Sequence, residues 1–123
     1  MKAHPSERRR HPRVKKELAL KVATDGYDFS TQTKDLSCIG AYCYVDKFIP
    51  PMTKLSVKLM LPAETFENNS TQKVQCKGVV VRTDACPPGG FNIAIFFNQI
   101  SVRSKDKISQ YVNRLLTQIN CAL

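Results

Sequence analysis

"ELALKVATDGYDFSTQT", residues 17–33, decides the fold. Leu18, Leu20 and Val22 alternate with Glu17, Ala19, Lys21 and Ala23, a period of two that belongs to a strand with one buried face. After Asp25-Gly26, Tyr27, Phe29, Thr31 and Thr33 alternate with polar neighbours in the same way. Asp-Gly between two alternating runs is a strong short-range hairpin signal, and a type I′ turn is the expected connection. The chain therefore starts its ordered part as antiparallel strands.

The same pattern continues toward the C-terminus. "AYCYV" (41–45) is a short aromatic and β-branched strand, and Pro50-Pro51 marks a loop. In "TKLSVKLML" (53–61), Leu55, Val57, Leu59 and Leu61 face one way, and Lys54, Ser56, Lys58 and Met60 the other. Pro62 to Thr71 reads as a polar loop. "KVQCKGVVVR" (73–82) sets Val74, Cys76, Gly78 and Val80 on one face, "CPPGG" (86–90) is a turn, and "FNIAIFF" (91–97) aligns Phe91, Ile93, Ile95 and Phe97. Six short strands separated by turn signals predict an all-β-dominated fold, a small six-stranded antiparallel β-barrel.

The end is different. Ile108, Tyr111, Val112, Leu115, Leu116 and Ile119 recur every three or four residues, the stripe of an amphipathic helix over about 101–120. Ser104 is the expected N-cap, with Asp106 in the first turn. The stripe can close the mouth of the barrel or pair with another copy, and closing the mouth is the preferred reading.

At 123 residues, 42% apolar, the chain is expected to form one domain. Its net charge of +9 is uneven: residues 1–16 hold seven basic side chains against Glu7 alone, leaving only +3 for the rest. An anionic partner met by the N-terminus is implied. Residues 1–12 are charged, contain Pro5 and Pro12 and lack apolar periodicity, so they are expected to be a flexible basic arm ahead of a barrel domain over 13–123. The five cysteines form no CxxC pair and lie far from a histidine pair, so no metal site is expected and they read as reduced, small apolar side chains. His4 and His11 read as ordinary tail residues. No apolar run follows the charged N-terminus and none nears about 20 residues, so neither a signal peptide nor a membrane span is expected, and the cytoplasm is the natural compartment.

Two stretches carry the chemistry. "ERRRHPRV" (7–14) packs Arg8, Arg9, Arg10 and Arg13 into six positions just ahead of the first strand, with an RxxxR spacing from Arg9 to Arg13. Guanidinium forks suit phosphate oxygens and the O6/N7 edge of guanine, and Pro12 biases His11 away from helix, so the segment is extended. "DLSCIG" (35–40) has a DxSxxG spacing between the second and third strands. Asp35 can accept from the other edge of a guanine, Ser37 offers a hydroxyl, and Gly40 permits close approach of a ligand or of backbone. If the first two strands form a hairpin, both stretches lie at its open end and meet.

The pair resembles the two signature motifs of the PilZ domain family, in the right order, and the resemblance covers essentially the whole chain. It implies a PilZ-like barrel with a C-terminal helix and a bacterial receptor for the second messenger cyclic di-GMP, needing no cofactor. Arg9 and Arg13 match the arginine motif, Arg8 and Arg10 support it at the phosphates, and Asp35, Ser37 and Gly40 match the second motif. The strand around Gly78–Val81 can also line the site, but it has no aromatic for a base to stack on. A receptor of this kind would change its arm and surface on binding and signal to an unidentified downstream protein.

Two rivals remain. A small β-barrel with a basic arm can bind nucleic acid, and Tyr42 and Tyr44 could serve as platforms. The body, however, lacks the usual basic stripe, so no DNA or RNA partner is expected. A protein-interaction module with this fold but no nucleotide would show degraded motifs, and these are intact. No Ser/His/Asp set, paired carboxylates or glycine-rich phosphate loop is present, so no enzyme is expected.

Overall fold

The alternation around Leu20 and Val22 becomes strand β1 (Ala19–Thr24), and the run after Asp25-Gly26 becomes β2 (Tyr27–Ser37). The structure, a computed structural model, describes residues 10–65 and 68–121, with the side chains of all of these except 63–65, 68–70 and 119–121. Four more strands follow, β3 (Gly40–Val45), β4 (Lys54–Thr65), β5 (Asn68–Ala85) and β6 (Phe91–Gln99), and then helix α1 (Val102–Cys121). They form the closed antiparallel barrel β1-β2-β3-β6-β5-β4, with β1 closing on β4 through Leu20↔Leu59 and Val22↔Val57. Closure leaves no open edge between strands.

The expected inward faces are buried. Leu20, Val22, Val57, Leu59, Val74, Val80 and Ile93 are each at most 2% exposed. Helix α1 touches β2 and β5, which lie on opposite sides of the ring, so it crosses one mouth of the barrel. Ile108, Tyr111 and Val112 are buried there, and Leu115 and Leu116 pack against the core. At the other end the β3–β4 loop contributes the buried Ile49, whose carbonyl accepts from Thr83 Oγ1 at 2.5 Å. A buried branched side chain of this size is worth about 1.5–3 kcal/mol.

Three local expectations are corrected. In the β1–β2 turn only Gly26 has a positive φ, 77°, so the turn is not type I′, which needs two such residues. Residues 62–65 and 68–71, expected in a loop, are strand: β4 and β5 stay paired from Pro62↔Thr71 to Thr65↔Asn68. Beyond Leu59 β4 has left β1 behind, and past Leu61, the last buried residue of the run, the sequence has no apolar alternation to read. Finally, the helix cap is not Ser104. Ser101 Oγ accepts from the Ser104 amide at 3.1 Å, which makes Ser101 the cap and puts Asp106 past the first turn.

Candidate functional site

The decisive local feature is a break in alternation. Thr33 of β2 points inward and is fully buried. Strict period two would turn Asp35 inward as well. The β2–β3 register instead shifts between Thr33 and Asp35, the mark of a bulge. Leu36 becomes the inward residue, 0% exposed, and Asp35 is re-aimed to the outer wall. The motif 35–40 therefore does not interrupt the strands, as the sequence suggested. Asp35, Leu36 and Ser37 finish β2, Cys38-Ile39 is the turn, and Gly40 starts β3.

Cross-strand partners then build a floor. Asp35 lies opposite Tyr42, Tyr42 opposite Ala94, and Ala94 opposite Arg82. This row runs over four strands, and a second shift, between Val80 and Arg82, puts Arg82 on the same outer wall. The neighbouring row is Ser37, Gly40, Phe96 and Val79. Ala94 and Gly40 keep the middle low. The result is a cavity of about 380 Å³ lined by Arg13, Asp35, Ser37, Tyr42, Arg82 and Phe96, among others.

The arm's base is fixed to this floor. Val14 bridges to Leu36. The Leu18 amide donates to Thr33 Oγ1 at 2.9 Å, and that hydroxyl donates to the Lys16 carbonyl. His11 is no ordinary tail residue: it is half-buried, and its Nδ1 lies 3.4 Å from Cys38 Sγ at the turn of the motif. The two stretches meet, as the hairpin argument required.

Of the expected site residues, the structure brings Arg13, Asp35, Ser37 and Gly40 to one cavity. Arg10 is exposed and outside its lining. Arg8, Arg9 and nearly all of the arm lie outside the described residues. Gly40 is required for close backbone approach, because a Cβ there would collide with the Ile95 carbonyl oxygen. Among the described residues Asp35 makes no ion pair. Its Oδ1 is buried and has no hydrogen-bond partner, and such an atom in a native fold calls for an explanation. The Ser37 hydroxyl accepts from the Ile39 amide at 3.3 Å, leaving its proton to donate.

Sequence reasoning missed Arg82 and Phe96, and gave Tyr42 only to the nucleic-acid rival. The Tyr42 hydroxyl donates to Asp84 Oδ2 at 3.0 Å, and Arg82 Nε to the same oxygen at 2.9 Å. The Arg82 guanidinium stands 5.4 Å from the Tyr42 ring centroid. Partial burial and Asp84 push the Tyr42 hydroxyl above the usual range. The Arg82 bond holds Asp84 below its own. Both groups thus keep their charge state around neutral pH. The site offers a fixed guanidinium, two aromatic rings, a free carboxylate oxygen and a hydroxyl, which suits a planar, polar, anionic ligand.

The PilZ domain family profile matches residues 7–114. No curated protein sequence matches the chain. Among solved structures, the chain is similar to the inhibitor of motility MotI/DgrA of Bacillus subtilis, at 19% identity and a TM-score of 0.77, covering 93% of this chain and 53% of that one. It is similar to the PilZ domain of YcgR from Escherichia coli with c-di-GMP, at 11% identity and a TM-score of 0.61, covering 92% and 95%. The K. pneumonia MrkH–c-di-GMP complex gives 14% identity and a TM-score of 0.67 over 95% and 56%. The chain spans about half the length of MotI/DgrA and of MrkH.

Proposed function

Because this chain belongs to the PilZ domain family, we propose that it is a non-enzymatic receptor for cyclic di-GMP, bound at the cavity under the basic arm. The observation that carries this reading is the joining of Arg13, Asp35, Ser37 and Gly40 around one cavity by the Val14–Leu36 bridge. Arg9 and Arg13 grip the phosphates and one guanine edge, with Arg8 and Arg10 adding charge. The free Asp35 Oδ1 takes a guanine N–H, and the Ser37 hydroxyl donates to the ligand. Arg82 and Tyr42 supply flat surfaces for a base, a role that the strand around Gly78–Val81 had seemed unable to fill. That YcgR and MrkH carry c-di-GMP supports the same ligand here.

The arm then acts as the switch. Four arginines close together repel one another, and ligand phosphates relieve that repulsion, so the arm orders on binding and changes the surface presented to a downstream protein, in the cytoplasm. Isothermal titration of the full chain with cyclic di-GMP, with GTP and with a single-stranded oligonucleotide tests the reading. Saturable binding of cyclic di-GMP alone is expected, and preference for the oligonucleotide would replace this reading with the nucleic-acid one.

A further inference from the structure

The wall opposite the cavity, made of β1, β4 and β5, is basic in the fold although no basic stripe shows in the linear sequence. Lys21 stands directly across from Lys58, Ser56 from Lys77, and Met60 from Lys73. Lys58 therefore has three lysines within one diagonal step, and Lys54 continues the same face. All five are exposed, and among the described residues none makes an ion pair or side-chain hydrogen bond. Like charges directly opposite one another destabilise a sheet. Lysines often guard an open sheet edge, but this barrel is closed. The cluster has some other reason.

A second observation adjoins it. The β3–β4 loop holds Phe48 and Met52 in solvent, 58% and 77% exposed, between Lys47 and Lys54. Phe48 is steadied edge-on by Phe91 at 5.4 Å. Thr53 N donates to Pro50 O at 3.3 Å, closing a turn in which Met52 has a φ of 77°. That position ordinarily takes glycine. A strained backbone that holds an apolar side chain in water points to use of that side chain.

We propose that the chain docks peripherally on an anionic membrane surface, with Phe48 and Met52 entering the headgroup boundary and the lysine wall facing the lipid phosphates. Specific protein interfaces gather aromatic and arginine anchors and are depleted in lysine. Single-stranded nucleic acid calls for aromatics interleaved with the charge. The lysine cluster includes no arginine, and the aromatics beside it are committed: Phe29 packs against the core and against Tyr27, whose ring lies under Lys47 Nζ at 4.8 Å. Lysine is a compact, hydrated point charge that suits a diffuse field of headgroups, and an apolar tip beside it suits the boundary below. Asp25, Asp28 and Asp46 border the surface, against six lysines once Lys47 is counted. Docking here leaves the cavity on the far wall open, and it does not depend on the nucleotide reading.

The test is co-sedimentation of the full chain with phosphatidylcholine vesicles, with and without phosphatidylglycerol. Binding only to the anionic vesicles, weakened by salt, is expected. Each lysine near such a surface is worth about fivefold, so the double variant K58Q/K77Q should bind roughly 25-fold more weakly. The chain has no tryptophan, so F48W gives a single reporter, whose emission should shift to the blue with anionic vesicles. Circular dichroism checks that the variants stay folded. Failure to sediment with anionic vesicles overturns the proposal. So does sedimentation that K58Q/K77Q retains and the arm variant R8Q/R9Q/R10Q loses. Lysine-dependent binding of an oligonucleotide without vesicle binding would give the wall to nucleic acid instead.

Discussion

Val14 and Leu36 exchange two backbone hydrogen bonds, Val14 N to Leu36 O and Leu36 N to Val14 O, each 2.9 Å. The peptide after Arg13 is thereby fixed beside the peptide between Asp35 and Ser37. Two motifs 22 residues apart, counted from Arg13 to Asp35, act as one site because of this pair. Arg13→Ala and Arg9→Ala are expected to lose cyclic di-GMP binding, since each guanidinium–guanine contact is worth about 1–3 kcal/mol before phosphate pairing is added. Arg13 is exposed, so its loss leaves no cavity in the core. Val14→Pro, which removes one donor of the pair, should weaken binding with every arginine still present. Titration calorimetry beside thermal melts decides this, and unchanged affinity in both arginine variants would refute it.

Gly40→Ala should lose stability as well as ligand. The added methyl meets the Ile95 carbonyl, so β3 and β6 must separate locally. Overpacking of this kind costs about 1–3 kcal/mol. A chemical denaturation midpoint equal to that of the parent chain would show that the strands give way easily and that the glycine is kept for the ligand.

Met52→Gly should act in the opposite direction. A non-glycine residue at positive φ costs roughly 1–2 kcal/mol, part of which glycine returns through its freer unfolded chain. A net gain of about 0.5–1 kcal/mol is expected, measured by the same denaturation curves.

Burial pushes the Cys43 thiol up to about 12 and that of Cys76 to about 11. In the unfolded chain both ionise near pH 9. The raised folded values mean that stability is fully present below pH 9 and falls as pH rises toward 11 and 12. Each thiol adds a slope of about 1.4 kcal/mol per pH unit in its window. Comparing the alkaline slope of Cys43→Ala with that of the parent isolates the Cys43 share. Equal slopes would mean that the thiol is not shielded from water.

The barrel was legible because closed antiparallel strands must alternate, and Leu55, Val57, Leu59 and Leu61 do so without a break. The ends were less legible. The β4–β5 ladder past Leu61 carries no apolar alternation, and Ser101 and Ser104 are equally good caps until the chain path chooses one. The site was half legible. Arg13, Asp35, Ser37 and Gly40 stand in recognisable spacings, whereas Arg82, Phe96 and Tyr42 reach the cavity through pairing across β3, β6 and β5. Bulges are what aim Asp35 and Arg82 outward, and a bulge leaves little trace in one sequence. The basic wall escaped notice for a related reason: Lys21, Lys58 and Lys77 become neighbours only once the barrel closes.

The most direct measurement is cyclic di-GMP titration of Asp35→Ala against the parent chain, at low and high salt, with a single-stranded oligonucleotide as the second ligand. If Asp35 Oδ1 receives a guanine N–H, the variant binds cyclic di-GMP more weakly although its site is more positive, and the salt slope is shallow because the ligand has only two phosphates. A basic surface that merely holds polyanions would bind as well or better without the carboxylate, with a steep salt slope. Undiminished cyclic di-GMP binding by Asp35→Ala would contradict the guanine-reading role of Asp35 and reduce the 35–40 motif to a turn.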